Sequence, residues 1–260
     1  MSTLPGKVDP HARRFGVEIE CGLAGGTNAA RRLFGFPSDS YYRSRNDGWA
    51  IDYDGSGVEL KTPILQGEEG YKTIRWAMKR LKDAGAYVTT HDGLHIHHDA
   101  PDFESNPAGC LQLVDSWRNN LHAIHEMVAP RRRQSGACPS WGDYDYEILL
   151  AWSNGSRGYL DLNRNDLNLA ALDEHGSIEL RLHEGTLDAE VAISWIQFGQ
   201  RFLHEASKRV RPIKFSATDA DLMSRIRLSK AARAILAEKK QKDYITEATG
   251  YQLRSSDPYR

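Results

Sequence analysis

Several short stretches of this 260-residue chain carry chemically active side chains two residues apart. Glu18 and Glu20, His95 and His97, Asp161 and Asn163, and Glu179 and Arg181 are such pairs, and Glu59 stands between Val58 and Leu60. In a strand, residues i and i+2 point to the same side. Each pair therefore shares a face, and its apolar neighbours, such as Val17 and Ile19 or Ile178 and Leu180, share the other. If these strands lie in one sheet, its second face carries Glu18, Glu20, Glu59, His95, His97, Glu179 and Arg181. That much acid does not sit together uncompensated, because like charges raise one another's pKa and repel. Divalent cations are the natural compensation. Carboxylate oxygens suit Mg2+ or Mn2+, and an imidazole can complete a site. The simpler explanation is a solvated outer face, which any one strand fits. It weakens across four or five strands, because solvated faces also carry Lys, Thr and Ser.

The elements that would position these groups are legible in the hydrophobic pattern. Alternation predicts strands at Phe15–Cys21, Trp49–Tyr53, Val58–Thr62, Ala86–Thr90, Leu94–His98, Tyr159–Asn163 and Ser177–His183. Residues 22–48 read as a long, mobile loop rich in Gly, Ser, Asn and Arg. A helix reads at 69–84, with Tyr71, Ile74, Met78 and Leu81 as its stripe and Gly85 at its end. Another runs from Pro107 to Val128. Residues 131–158 read as irregular, and Asp188 can cap a helix to Arg209. A last helical stretch covers 219–240, within a C-terminal extension of 210–260. The short spacings favour an α+β fold with a mainly antiparallel sheet, a charged concave face and helices on the other side. A single domain over 1–260 is expected.

Composition narrows the class. Lys and Arg number 34 against 35 Asp and Glu, so a protein that coats nucleic acid non-specifically is not expected. No window approaches the roughly 18 apolar residues of a membrane span, and the N-terminus shows no apolar signal region. Cys21, Cys110 and Cys138 are odd in number and widely spaced, and suggest neither disulfides nor a structural zinc site. The expectation is a reduced, cytoplasmic protein without membrane partners.

The segments FGVEIE (15–20), DGSGVELKTP (54–63), GLHIH (93–97) and GSIELRLHEGTLD (176–188) give the chain a family likeness. In order and approximate spacing it resembles the amidoligase family of the glutamine-synthetase-like carboxylate-amine ligases, over roughly residues 14 to 205. YLDLN (159–163) resembles the strand before the last motif. The resemblance implies a glutamine-synthetase-like catalytic domain with ATP and Mg2+ (or Mn2+) as cofactors. The γ-phosphate would pass to a substrate carboxylate, and an amine would displace it from the acyl phosphate to form an amide or isopeptide bond. Residue by residue, it implies Glu18, Glu20, Glu59, His95 and Glu179 as metal ligands. It also implies Arg181 on phosphate, where a guanidinium binds in bidentate fashion. Arg181, Glu59 and Asp54 form the expected catalytic group, and Arg181, Arg131, Arg133 and His97 the nucleotide contacts. Glutamine synthetase has a further arginine two residues before the E-x-R glutamate, where this chain has Ser177.

Other residues have competing explanations. Arg131, Arg132 and Arg133 follow a helix end, where cations also complement the helix dipole. Asp54 and Ser56 also suit a turn. Arg31, Arg32, Arg43 and Arg45, with Tyr41 and Tyr42, could form a substrate lid. Expected substrates are small-molecule or peptide carboxylates and amines; a nucleic-acid partner is not expected, though a modified nucleobase stays open. Two rival functions use the same face: a metal-dependent phosphotransferase or hydrolase, and a non-catalytic binding or assembly module.

Overall fold

The structure is a computed structural model that describes residues 12–36, 45–46, 48–55, 57–133, 136, 138–154, 165–209 and 211–239. Seven strands form one sheet: β1 (Phe15–Cys21), β2 (Arg45–Asn46), β3 (Trp49–Asp54), β4 (Gly57–Lys61), β5 (Gly93–Asp99), β6 (Leu167–Asn168) and β7 (Ser177–Glu184). Their order is β2-β3-β4-β1-β5-β7-β6, and every pairing is antiparallel. The predicted α+β class and antiparallel sheet are therefore what the chain adopts.

The eight described helices are α1 (Gly26–Leu33), α2 (Gly67–Asp83), α3 (Pro107–Glu126), α4 (Asp143–Ser153), α5 (Ala171–His175), α6 (Ala189–Ser207), α7 (Asp219–Arg225) and α8 (Lys230–Lys239). The apolar faces of the strands, with Val17, Ile19, Leu60, Ile96 and Leu180, share one core with the helices. α2 contributes the predicted stripe of Tyr71, Ile74, Met78 and Leu81, all buried. α3 adds Leu113, Val114 and Trp117, and α6 adds Trp195, Phe198 and Phe202. α6 starts where expected: the Asp188 carboxylate accepts the backbone N–H groups of Glu190 and Val191. Gly85 follows α2 with φ +78, a left-handed position that suits glycine. No helix of the described residues is long and apolar enough to cross a membrane.

The differences from expectation have physical causes. Ala86–Thr90 is not a strand; only Tyr87 bridges, to Gly22. Both edges of β1 are taken by β4 and β5, so only Gly22 beyond its end has backbone groups to offer. The segment after residue 22 contains α1, which buries only Ala30 completely and so leaves little periodic signal. The stretch 131–158 is not irregular throughout. It holds a 3-10 turn at Pro130–Arg132 and then α4, whose Asp145 carboxylate accepts the Gly142 N–H. The helix expected over 219–240 is broken by Arg227 at φ +58 into α7 and α8. Tyr159–Asn163, Tyr41, Tyr42, Arg43, Ser56 and residues 240–260 lie outside the described residues. The short strand β6 pairs with β7.

Candidate active site on the charged face of the sheet

Strand register turns a local alternation into a site. Glu18 on β1 stands opposite His95 on β5 and Lys61 on β4. His97 stands opposite Glu179 on β7, which faces Asn168 on β6. Glu59 stands opposite Glu20 on one side and Asp52 on the other. Acids directly opposite each other across strands destabilise a sheet unless something offsets them.

Part of that offset is Lys61, whose Nζ lies 2.9 Å from Glu59, 3.4 Å from Asp52 and 3.6 Å from Glu18. The imidazoles supply more. His95 Nδ1 is 3.4 Å from Glu18 and 3.7 Å from Glu179, and its Nε2 is 3.5 Å from Glu20. His97 Nε2 is 3.6 Å from Glu18 and 3.8 Å from Glu179. Its Nδ1 lies 3.1 Å from Ser177 Oγ, which fixes the ring with Nε2 toward the carboxylates. Arg181 Nη1 donates to Glu179 Oε1 at 2.6 Å, and Asn168 Nδ2 to Glu179 Oε2 at 2.6 Å.

Two overlapping donor sets result: Glu18, His97 and Glu179, and Glu18, Glu59 and His95. In each, one ligand atom per residue lies within 4.8 Å of the others. That spread suits a hard divalent ion bonded at about 2.0–2.6 Å, and carboxylates with an imidazole are suitable donors. Glu18 belongs to both sets. Glu20 belongs to neither; it is joined to the cluster through His95 and accepts the Gly93 N–H.

The electrostatics follow the contacts. Burial alone would raise the Glu18 carboxyl, but hydrogen bonds from His95 and His97 and the charge of Lys61 hold it far below the usual carboxylate range. Burial and the neighbouring Glu18 charge raise Glu59, against the pull of Lys61. Burial lowers His97, yet Glu18 and Glu179 outweigh it and raise its proton affinity. Lys61 is likewise raised: Glu18, Glu59 and Asp52 overcome its burial.

Two solvent-open cavities meet at this cluster. One of about 650 Å³ is lined by Gly16, Glu18, Ala50, Lys61, His97 and Ser177, among others. Small residues make the space: nothing lies within 4 Å of where a Gly16 Cβ would stand. The second, about 400 Å³, is lined by Glu59, Asn168, Glu174, His175, Glu179 and Arg181, with others.

The expected site residues are not all brought together. Glu18, Glu59, His95, His97, Glu179 and Arg181 converge. Asp54 shares their face but ends β3 at the hairpin turn, where its Oδ1 accepts the Gly55 N–H. Of the three consecutive arginines, Arg132 packs beside the site, next to Gly93 and β7. It is buried and donates to the carbonyls of Arg181 and Leu182. A Cβ on Gly93 would meet His95, Arg132 and Glu20 together, at 2.7, 3.3 and 3.3 Å. Arg131 and Arg133 flank it on the 3-10 turn, and Arg133 donates to Val128 O. Sequence reasoning missed Lys61, Asp52 and Asn168. Period two had already put Lys61 beside Glu59 in the segment VELK, but Asn168 carried no such signal.

An antiparallel sheet that collects carboxylates, imidazoles and guanidinium groups on one open face defines a candidate cation-binding α+β domain. The chain matches the family model described as "Putative amidoligase enzyme" over residues 27–203, and it belongs to that family. Among solved structures it is similar to the ligase in the complex between the prokaryotic ubiquitin-like protein Pup and its ligase PafA. That match has 13% identity and a TM-score of 0.38, and covers 85% of this chain and 51% of the other. The chain thus spans about half the length of that structure. It is also similar to a novel glutamine synthase homolog, with 13% identity and a TM-score of 0.42, covering 95% of this chain and 68% of that one. No curated protein sequence resembles the chain closely enough to count as a match.

Proposed function

We propose that this chain is an ATP-dependent carboxylate-amine ligase that works with Mg2+ or Mn2+. The observation that carries the reading is Glu18, shared by two donor sets, with Lys61 beside it and Arg181 paired to Glu179 of one set. Glu18, Glu59, Glu179, His95 and His97 would hold the divalent ions. When bound, Mg2+-ATP supplies a phosphoryl group that activates a carboxylate as an acyl phosphate, with its charge neutralised by metal.

The chain's own residues do the positioning. Ser177 orients His97, and Asn168 and Arg181 orient Glu179, so the donors are set before any ligand arrives. Arg181 Nε is buried and has no hydrogen-bond partner among the described residues, which leaves it a donor for a phosphate or carboxylate oxygen. Lys61 keeps its proton firmly and adds a fixed positive charge beside the acids. The two open cavities admit small-molecule or peptide carboxylates and amines.

The test is ADP release from Mg2+-ATP in the presence of carboxylate and amine pools, with mass analysis of the product. An amide with free phosphate, lost in Glu18→Gln, supports ligation. A stable phosphorylated product points instead to a phosphotransferase. Nucleotide binding that ignores both metal and Glu18 overturns the reading.

A further inference from the structure

Away from the charged sheet face, positive charge gathers in the segment that follows α6. Residues 208–230 hold seven Lys and Arg against two acidic residues, in a chain whose net charge is −1. Four of them, Arg209, Arg211, Lys214 and Arg225, line a cavity of about 400 Å³ with Pro212 and Ile213. Among the described residues, no carboxylate lines it.

The cup is built rather than accidental. Helix α3 pins its backbone: Ser116 Oγ accepts the Ile213 N–H at 2.9 Å, and Asn120 Nδ2 donates to Ile213 O at 3.3 Å. Gln112 Nε2 donates to Arg209 O at 2.6 Å. Ser116 and Asn120 are fully buried, so this segment is ordered from within the core. Two of the cations are aimed by carboxylates one helical turn back, Arg209 by Glu205 at 3.1 Å and Arg225 by Asp221 at 3.0 Å. Arg211 and Lys214 are exposed and make no ion pair with a described residue. Four cations less two carboxylates leave a charge of +2 around the cup.

We infer that this cup is an anion site for a small phosphate-bearing ligand carrying a di- or triphosphate group. Guanidinium groups bind phosphate oxygens through charge-assisted contacts; Arg211 and Lys214 offer their whole charge, while Arg209 and Arg225 give one edge to Glu205 and Asp221 and line the same small space. An extended nucleic-acid strand needs a basic track, whereas four cations here line one small cavity. The inference is independent of the ligase reading, since none of these residues belongs to the charged face.

The experiment is titration calorimetry with inorganic tripolyphosphate in the presence of EDTA, on the full chain. Metal-free conditions leave the acidic face repelling anions. Saturable one-to-one binding is expected in the wild type. Arg211→Glu/Lys214→Glu should weaken it about tenfold or more, the size of one lost charge-assisted contact. Both residues are exposed, so the melting midpoint of the ligand-free variant should stay near the wild-type value. If the double variant does not fold, Arg211→Gln alone should still weaken binding measurably. Glu18→Gln should bind as the wild type does. Unchanged affinity in the charge-reversed variant, or loss in Glu18→Gln, overturns the site. Tighter binding of a single-stranded oligonucleotide of equal charge overturns the small-ligand assignment.

Discussion

Because Glu18 sits in both donor sets, and Glu59 in only one, the two substitutions Glu18→Gln and Glu59→Gln should differ in a countable way. A ligand that binds only the folded state, at a hundredfold excess over its Kd, stabilises it by about 2.7 kcal/mol. Two filled sets then give roughly 5.4 kcal/mol, and one gives half of that. For a chain of this size each kcal/mol moves the melting temperature by about 2–4 °C. Saturating Mn2+ with ATP should therefore raise the wild-type midpoint by roughly 10–20 °C and that of Glu59→Gln by roughly 5–10 °C. Glu18→Gln should show little shift, because both sets lose a carboxylate. The substitution also changes the metal-free protein, since Glu18 contacts Lys61, His95 and His97 at 3.4–3.6 Å. Each shift is therefore measured against the same variant in EDTA, by scanning calorimetry. A Glu18→Gln protein that keeps the wild-type shift, or a Glu59→Gln protein that loses more, refutes the shared-ligand reasoning.

Burial raises Asp166 from 3.8 to about 6, against the pull of Ser140, Trp117 and the Leu167 N–H. Its folded-state pKa lies above the unfolded value, so its stabilisation is full below pH 3.8 and is lost as pH rises through 6. Asp166→Asn should therefore gain of order 3 kcal/mol relative to wild type between pH 4 and 7, read by urea unfolding; a pH-independent difference refutes it. Gly93→Ala puts a Cβ 2.7 Å from His95 Nε2, and the overpacking should cost about 1–3 kcal/mol and displace His95. Metal-dependent stabilisation should fall with it, and an alanine that leaves both unchanged removes Gly93 from the site. Asp188→Ala removes two hydrogen bonds to the start of α6 and should cost about 1 kcal/mol in thermal unfolding, with metal binding intact.

What the sequence determined by itself is which side of each strand the active residues occupy. Period-two alternation is a property of the local backbone, so Glu18 with Glu20, His95 with His97, and Glu179 with Arg181 shared faces before any fold was known. The bounds of β1 and the cap at Asp188 were legible for the same reason, since both depend on neighbours in the chain. Elements whose pattern is weak were not legible: α1 buries a single residue completely, and β6 has only two residues. Register was not legible either, because it is set by pairing between strands far apart in sequence. That pairing put His97, rather than Glu20, beside Glu18 and Glu179 in a donor set. It also brought Lys61 among three carboxylates and Asn168 onto Glu179. Which of the three consecutive arginines is buried was tertiary as well. Three identical side chains in a row carry no local distinction, and only the carbonyls of Arg181 and Leu182, half a hundred residues away, select the one that is buried.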